Sequence, residues 1–296
     1  MILPLNHPPG SKFTKTIHGD TYPYIDSSKV DLSGRSVFLT GASKGVGKAT
    51  AISLAKAGCS KIALCARSSL DEVISLMKDA ASAVGKPEPQ ILTFKVDVTN
   101  NEDVTRAAKK VEEEFGSLDI LLNNAGYLET FTPIADSDVE EWWSTWSINV
   151  RGTYLVTRAF LPLLLRSQTS LKTIINTSSI GANNIRPGAS AYQTGKLAIC
   201  RFTEFLCVEY AAQGLVAIAI HPGAVLTDMG KRMPKHAHAI LTDKPELAAD
   251  TVVWLAKERR EWLAGRYISS TWDMEELEGM RGEIEGTDKL RMRMVV

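Results

Sequence analysis

The chain has 296 residues, of which 44% are apolar, so it is long enough to bury the core of one large α/β domain or two small ones. Its 34 basic and 34 acidic residues balance, which argues against nucleic acids and membrane surfaces as partners. Prolines interrupt the N-terminus where the apolar segment of a signal peptide would lie, and no stretch approaches the ~20 apolar residues of a membrane span; we therefore expect a cytoplasmic protein that acts on small molecules.

The elements follow a regular alternation after a distinct N-terminal extension. Residues 1–35 are rich in Pro, Gly, Ser and Lys and lack apolar periodicity, which predicts an extended arm on the surface or a partly disordered segment. From residue 36 onward, short β-branched runs alternate with amphipathic stretches. In chain order we predict strand 36–40, helix 46–57, strand 61–65, helix 70–84, strand 91–96, helix 101–115, strand 120–124, helix 139–165, strand 172–178, helix 191–212, strand 216–221 and helix 245–256.

This alternation predicts an α/β fold. Strands of uniform apolarity are typical of a parallel sheet that helices cover on both faces. We therefore expect a three-layer, doubly wound Rossmann fold with a mostly parallel central sheet, forming a single domain over residues 36–272. Residues 273–296 form a charged C-terminal tail whose apolar side chains follow helical spacing, so a capping or subunit-contacting helix is expected and a frayed tail is the alternative.

A glycine-rich turn follows the first predicted strand and opens the first helix. Such a turn places backbone N–H groups and the positive end of the helix dipole where they can hold a pyrophosphate. A glycine-rich turn alone is a weak signal, but its position at the first strand–helix junction strengthens it. The residues predicted to contact the cofactor here are Gly41, Ser43, Lys44, Gly45, Val46 and Gly47.

The end of the second strand favours NADP(H) over NAD(H). An acidic residue here would bind the 2′-hydroxyl of NAD, but the sequence runs Ala66-Arg67-Ser68. Arg67 and Ser68 can bind a 2′-phosphate, and Lys44 could add a second cation. The alternative is that Arg67 and Lys44 are ordinary surface cations.

Tyr192 and Lys196 stand four residues apart near the start of a predicted helix, so their side chains lie on one face. A neighbouring ammonium favours the phenolate and brings the phenol closer to the working range of a proton relay. This spacing occurs often by chance, however, and by itself indicates little.

Several further motifs occur in a fixed order around this pair. They are Thr40–Gly47 (TGxxxGxG), Asn123-Asn124-Ala125-Gly126 (NNAG), Asn149, Ser179, Tyr192 with Lys196 (YxxxK), and Pro222-Gly223 followed by Thr227. Together they resemble the short-chain dehydrogenase/reductase family over roughly residues 31–268, and six ordered motifs are far more specific than one.

This resemblance implies roles for four catalytic residues. Tyr192 would exchange a proton with the substrate oxygen, and Lys196 would lower the pKa of Tyr192 and bind the nicotinamide ribose. Ser179 would hold the substrate oxygen, with Ser178 as a structural neighbour. Asn149 would kink its helix and anchor a water that leads to Lys196.

The resemblance also implies the remaining cofactor contacts and an oligomer. We expect a homodimer or homotetramer, although the chain departs from the usual glycine pair after the last strand. Arg158 is included because its helix borders the site in the family, and the alternative is an ordinary exposed arginine. The other implied contacts are Asp97 and Val98 at the adenine, Asn124, Ala125 and Gly126 along the adenosine and ribose, and Pro222, Gly223, Val225 and Thr227 at the nicotinamide.

No metal is expected. The histidines lack a supporting Cys or carboxylate pattern, and the four cysteines have no ligand spacing and are interpreted as buried free thiols in a reducing compartment.

The segment 228–244 carries apolar residues among basic ones, as a lid over an apolar substrate would.

The favoured function is an NADP(H)-dependent oxidoreductase that interconverts a carbonyl and an alcohol. Two alternatives stay open: the same fold and cofactor could serve a non-redox cyclisation, epimerisation or dehydration, or the chain could be a dinucleotide-sensing or interaction protein. The completeness of the four catalytic residues argues against the last.

Overall fold

The computed structural model describes residues 10–167 and 171–294, in which strands and helices alternate as the sequence predicts. The strands are β1 Ser36–Thr40, β2 Lys61–Ala66, β3 Gln90–Lys95, β4 Ile120–Asn123, β5 Thr173–Thr177, β6 Val216–His221 and β7 Arg266–Ser269. The helices are α1 Gly45–Lys56, α2 Asp71–Ala83, α3 Asn101–Phe115, α4 Val139–Trp146, α5 Thr153–Arg166, α6 Ser190–Tyr210, α7 Pro245–Lys257, α8 Met274–Gly279 and α9 Arg281–Ile284.

All seven strands form one parallel sheet in the order β3-β2-β1-β4-β5-β6-β7. The chain therefore winds outward from β1 in one direction, and then from β4 in the other. This confirms the predicted doubly wound fold in a single domain. At the β1–β4 switch point the adjoining crossovers run to opposite faces, which opens a crevice at the carboxyl ends of the strands.

Side-chain alternation along the strands builds two core layers. In β1, Val37 and Leu39 pack into a cluster with α1, α2 and α7, whereas Phe38 packs into a second cluster with α3, α5 and α6. The sheet is thus covered on both faces. β3 departs from the expectation of strands buried on both faces, because it lies at the sheet edge and several of its residues are partly or fully exposed.

The N-terminal segment and the tail pack against each other beside β7. Ile17 pairs with Trp272 in an antiparallel bridge, and the backbone N–H groups of Lys15 and Thr16 donate to the Glu276 carboxylate. Ile25 is fully buried. Within residues 10–35, the chain therefore lies on the domain through specific contacts, while residues 1–9 fall outside the described part.

No helix within residues 10–167 and 171–294 has both the length and the apolarity needed to cross a bilayer. The four cysteines are all free; Cys207 is half-buried, and the other three are buried.

Candidate active site

The carboxyl ends of the strands border one cavity of about 760 Å³. It extends from the glycine-rich turn after β1 to the loops after β5 and β6. Every residue predicted from the sequence to form the site lines this cavity, with the exception of Asn149 and Arg158.

The glycine-rich turn has a geometry that only glycine allows. Gly41 and Gly45 adopt positive φ angles of 67° and 56°. At Gly47 a Cβ atom would lie 2.1 Å from the carbonyl oxygen of Gly41, so backbone occupies the space of a side chain. The turn therefore brings the free N–H groups at the start of α1 to the cavity wall, and this geometry fits a dinucleotide pyrophosphate.

The end of β4 is tied to this turn by a polar network. The Asn124 side chain donates to the carbonyl oxygens of Thr40 and Gly41 at 3.0 and 3.2 Å, and the Thr40 hydroxyl accepts from the backbone N–H groups of Asn124 and Ala125. The NNAG motif thus supports the turn in addition to lining the cavity.

Arg67 stands at the far end of the cavity, after β2. Its side chain is exposed and has no hydrogen bond or ion pair within the described residues. Burial alone would raise the pKa of nearby Asp97, but hydrogen bonds from Thr99 and the charge of Arg67 lower it overall. Lys44 differs from Arg67, because its Nζ lies 3.0 Å from the Asp228 carboxylate in an exposed ion pair.

Helix α6 carries Tyr192 and Lys196 on one face. The Lys196 Nζ lies 5.5 Å from the centre of the Tyr192 ring and donates to the carbonyl oxygen of Thr177 at 2.8 Å. Lys196 is only 3% exposed, and this burial lowers its pKa to about 8. Burial raises the pKa of Tyr192, and a hydrogen bond from Ser179 partly opposes that rise.

The two serines after β5 have different partners. The Ser178 hydroxyl donates to the carbonyl oxygen of Lys196 at 2.9 Å and is buried. The Ser179 hydroxyl accepts from the Gly181 N–H at 3.0 Å, so its own proton is available to another acceptor. This geometry places Ser179 at the cavity and Ser178 in the framework that holds α6.

Asn149 lies in a π-helical turn, Ser147–Gly152, that interrupts the predicted helix 139–165 between α4 and α5. Its side chain accepts from the Tyr127 N–H at 3.0 Å and donates to the Tyr127 carbonyl oxygen at 2.7 Å. A Cβ atom at Gly126 would lie 3.1 Å from Asn149 and 3.7 Å from Lys196 Nζ. Asn149 is therefore close behind the cavity wall and binds the backbone next to it.

The loop after β6 closes the other side of the cavity. Pro222, Gly223, Val225 and Thr227 all line it, and a Cβ atom at Gly45 would lie 2.9 Å from the Thr227 side chain. The two loops are thus in close contact. The following segment contributes Met229, Met233, Ile240 and Leu241 to the lining.

A model of the short chain dehydrogenase family matches residues 35–238. The short chain dehydrogenase mpl6 of Monascus purpureus is 53% identical over 291 residues, which are 98% of this chain and 99% of that protein. The chain belongs to the short-chain dehydrogenase/reductase family. Membership in this family indicates an oxidoreductase with a nicotinamide dinucleotide cofactor.

Two more distant relatives carry more specific names. The 3-oxoacyl-[acyl-carrier-protein] reductase FabG of Thermotoga maritima is 27% identical over 80% of this chain and 96% of its own. A short chain dehydrogenase from Shigella flexneri, solved in complex with NADP, superposes with a TM-score of 0.72 at 26% identity, over 82% of this chain and 99% of that one.

Sequence reasoning missed Glu129 of this short-chain dehydrogenase. Its side chain is 5% exposed, and both carboxylate oxygens accept the backbone N–H of Tyr192, at 3.0 and 3.1 Å. Tyr192 is the third residue of α6, where N–H groups lack partners within the helix. Burial raises the pKa of Glu129, and its charge contributes to the raised pKa of Tyr192. No local pattern identifies Glu129, because the contact joins residues 63 positions apart.

One other expectation changes in this dehydrogenase. Arg158 is exposed and does not line the cavity, so we do not propose it as a cofactor contact. His221 lines the cavity, and burial lowers its pKa to about 4, so its imidazole is neutral near pH 7. Within the described residues, no group of three or more His, Cys, Asp or Glu side chains is arranged to hold a metal ion.

Proposed function

We propose that the protein is an NADP(H)-dependent oxidoreductase that interconverts a carbonyl and an alcohol, with Tyr192 as the acid/base. The observation that carries this proposal is the convergence of Tyr192, Ser179 and Lys196 on the same cavity as the glycine-rich turn. The bound nicotinamide would supply or accept a hydride at the carbon atom of the substrate.

The residues of the chain would bind the substrate oxygen and transfer a proton to it or from it. In reduction, the Tyr192 hydroxyl donates its proton to the carbonyl oxygen while Ser179 donates a hydrogen bond to the same atom. The raised pKa of Tyr192 keeps the phenol protonated before that step. Lys196 would stabilise the phenolate that results, and Asn149 would hold the backbone beside Lys196 in place.

The direct test is a panel of ketones, aldehydes and secondary alcohols, assayed by nicotinamide absorbance with each cofactor in turn. We expect substrate-dependent oxidation of NADPH. Conversion of a substrate without net change in the cofactor would instead favour the non-redox alternative, and binding without any conversion would favour a sensing role.

The Arg67→Ala variant tests the preference for NADP(H). The side chain of Arg67 makes no hydrogen bond or ion pair among the described residues. A forked guanidinium–phosphate contact contributes roughly 1.5–3 kcal/mol. We therefore expect the Kd for NADPH to rise by about tenfold to a hundredfold while that for NADH changes little, as measured by fluorescence titration. Arg158→Ala, which removes an exposed cation outside the cavity, is the matched control. An equal loss of affinity for both cofactors would contradict the phosphate contact.

The pH dependence of reduction should follow the protonation state of the Lys196 ammonium group. Because burial lowers the pKa of Lys196 to about 8, the ammonium loses its proton as pH rises through 8, and stabilisation of the phenolate is lost with it. We expect kcat/KM for reduction to be level below pH 8 and to fall above it, measured between pH 6 and 10. In Lys196→Arg, whose cation does not titrate there, any remaining activity should lack this fall. A wild-type profile that stays level to pH 10 would contradict the assignment.

We also propose a homodimer or homotetramer in the cytoplasm. Support comes from exposed apolar side chains on α4, α5 and α6, and the buried thiols suit a reducing compartment. The exposed residues are Trp143, Tyr154, Leu197, Phe205 and Val208. Sedimentation velocity measures the oligomeric state directly.

A further inference from the structure

Arg186 lines the catalytic cavity but has no place in the proposed proton transfer. It lies between Ser179 and α6, after β5, and β5 stands on the opposite side of the β1–β4 pair from β2, which Arg67 follows. Its side chain is half-buried, and within the described residues its guanidinium has neither a hydrogen bond nor an ion pair. A guanidinium without an acceptor at the wall of a cavity is suited to bind an anion.

The other cations at this cavity differ from Arg186. Lys44 is paired with Asp228, Arg232 is paired with Glu141, and Lys196 donates to a backbone carbonyl. Arg67 is the other unpaired guanidinium of the described lining, and it serves the opposite, cofactor end. The cavity therefore has two unpaired guanidinium groups, one at each end, and the proposed 2′-phosphate accounts for only one of them.

The backbone that carries Arg186 is held on both sides. The N–H of Arg186 donates to the side chain of Gln193, next to Tyr192, at 2.8 Å. Two residues later, the carbonyl oxygen of Gly188 accepts from the Thr132 N–H at 3.1 Å, and a Cβ atom at Gly188 would lie 2.8 Å from the backbone of Phe131. These contacts hold the backbone of Arg186, from which its side chain extends, at a fixed position relative to Tyr192.

Near Arg186 in the chain, the cavity lining also includes the polar side chains of Asn184 and Gln193, but much of the remaining lining beyond the cofactor residues is apolar. The described lining includes Leu128, Phe131, Ile180, Met229, Met233 and Ile240. An apolar wall with one free guanidinium favours a substrate that has an apolar body and one anionic group, since the wall covers the body and the charge is neutralised.

We propose that Arg186 is a specificity-determining residue that binds a carboxylate of the substrate, so that the enzyme reduces apolar keto acids in preference to their neutral counterparts. This inference rests on the proposed function, because it assumes that the ketone lies at Tyr192. It adds a chemical class to the substrate: an apolar carbonyl compound that carries a carboxylate away from the reacting carbon.

The kinetic test compares 5-oxo-5-phenylpentanoate with its methyl ester, assayed with NADPH. A charge-assisted hydrogen bond of roughly 1.5–3 kcal/mol predicts a preference for the acid of about tenfold to a hundredfold in kcat/KM for the wild type. In Arg186→Gln this preference should disappear, mainly through a higher KM for the acid, and the loss for the acid should exceed any change for the ester by about tenfold or more. Arg186→Lys should restore part of the preference, and Arg158→Gln should leave it unchanged.

A binding test separates this inference from the proposed function. The probe is 5-phenylpentanoate, which has no ketone, titrated calorimetrically into the NADP-loaded protein with the neutral amide as the comparison. We expect the wild type to bind the carboxylate more tightly than the amide, and Arg186→Gln to bind both equally.

Each outcome has a distinct meaning. If the probe binds in an Arg186-dependent manner but no ketone is reduced, the anion-binding role of Arg186 is supported and the proposed reaction is rejected. Equal binding of carboxylate and amide by the wild type, or an equal loss for acid and ester in Arg186→Gln, would overturn the role of Arg186.

Discussion

The Tyr192→Phe variant is expected to lose about 10²–10⁴-fold in kcat for reduction, the typical contribution of a positioned general acid. The substitution removes only the hydroxyl, and with it the proton that the carbonyl oxygen receives. The ring stays in place, as does the contact between the Tyr192 N–H and Glu129. We therefore expect unchanged helix content and a Kd for NADPH within about twofold of the wild type, because the ring does not supply the phosphate contacts.

The matched control is Tyr154→Phe, which removes the same hydroxyl from an exposed residue outside the cavity. It should keep full activity. The measurement is steady-state NADPH oxidation together with circular dichroism and cofactor titration. Wild-type turnover by Tyr192→Phe would rule out Tyr192 as the proton donor, whereas parallel losses of activity and cofactor affinity would point to a structural defect.

The second large effect is expected at Gly47, where replacement by Ala should remove most cofactor binding and destabilise the fold. The added Cβ atom would lie 2.1 Å from the Gly41 carbonyl oxygen and 2.5 Å from the Asn124 side chain. Backbone on one side and the network of Asn124 on the other leave little freedom to relax. Overpacking of this kind costs about 1–3 kcal/mol, and here any relaxation moves the turn that would hold the pyrophosphate.

We expect the Tm of Gly47→Ala to fall by roughly 2–12 °C, given about 2–4 °C per kcal/mol in a chain of this size, and the Kd for NADPH to rise more than about tenfold. Gly279→Ala is the control, because its Cβ atom would meet nothing within 4 Å. It should leave cofactor affinity unchanged. Normal NADPH affinity in Gly47→Ala would show that the turn does not hold the dinucleotide.

Much of the fold follows from local pattern. The run Ser36–Thr40 is buried throughout because β1 is covered on both faces, and it has apolar side chains at its three central positions. Helix Asn101–Phe115 is amphipathic because only one of its faces packs against the domain. Both elements have the predicted bounds. The predicted helix 139–165 is interrupted by a π-turn at Ser147–Gly152, which periodicity alone does not reveal.

The sequence by itself determined the doubly wound fold and, through the order of its motifs, the residues expected at the cavity. Those motifs can be recognised in the sequence because each depends on local geometry. Gly41 and Gly45 have positive φ angles, and a four-residue spacing puts Tyr192 and Lys196 on one helix face. The Tyr192→Phe, Arg67→Ala and Gly47→Ala variants test their roles in the reaction.

Only the tertiary structure decided which charges have partners. It buries Glu129 against the start of α6 and pairs Lys44 with Asp228, and it leaves Arg67 and Arg186 without acceptors among the described residues. It also places Arg158 outside the cavity. The physical reason is that pairing depends on distances between segments far apart in the chain, whereas helical or strand periodicity reports only on neighbours within a few residues.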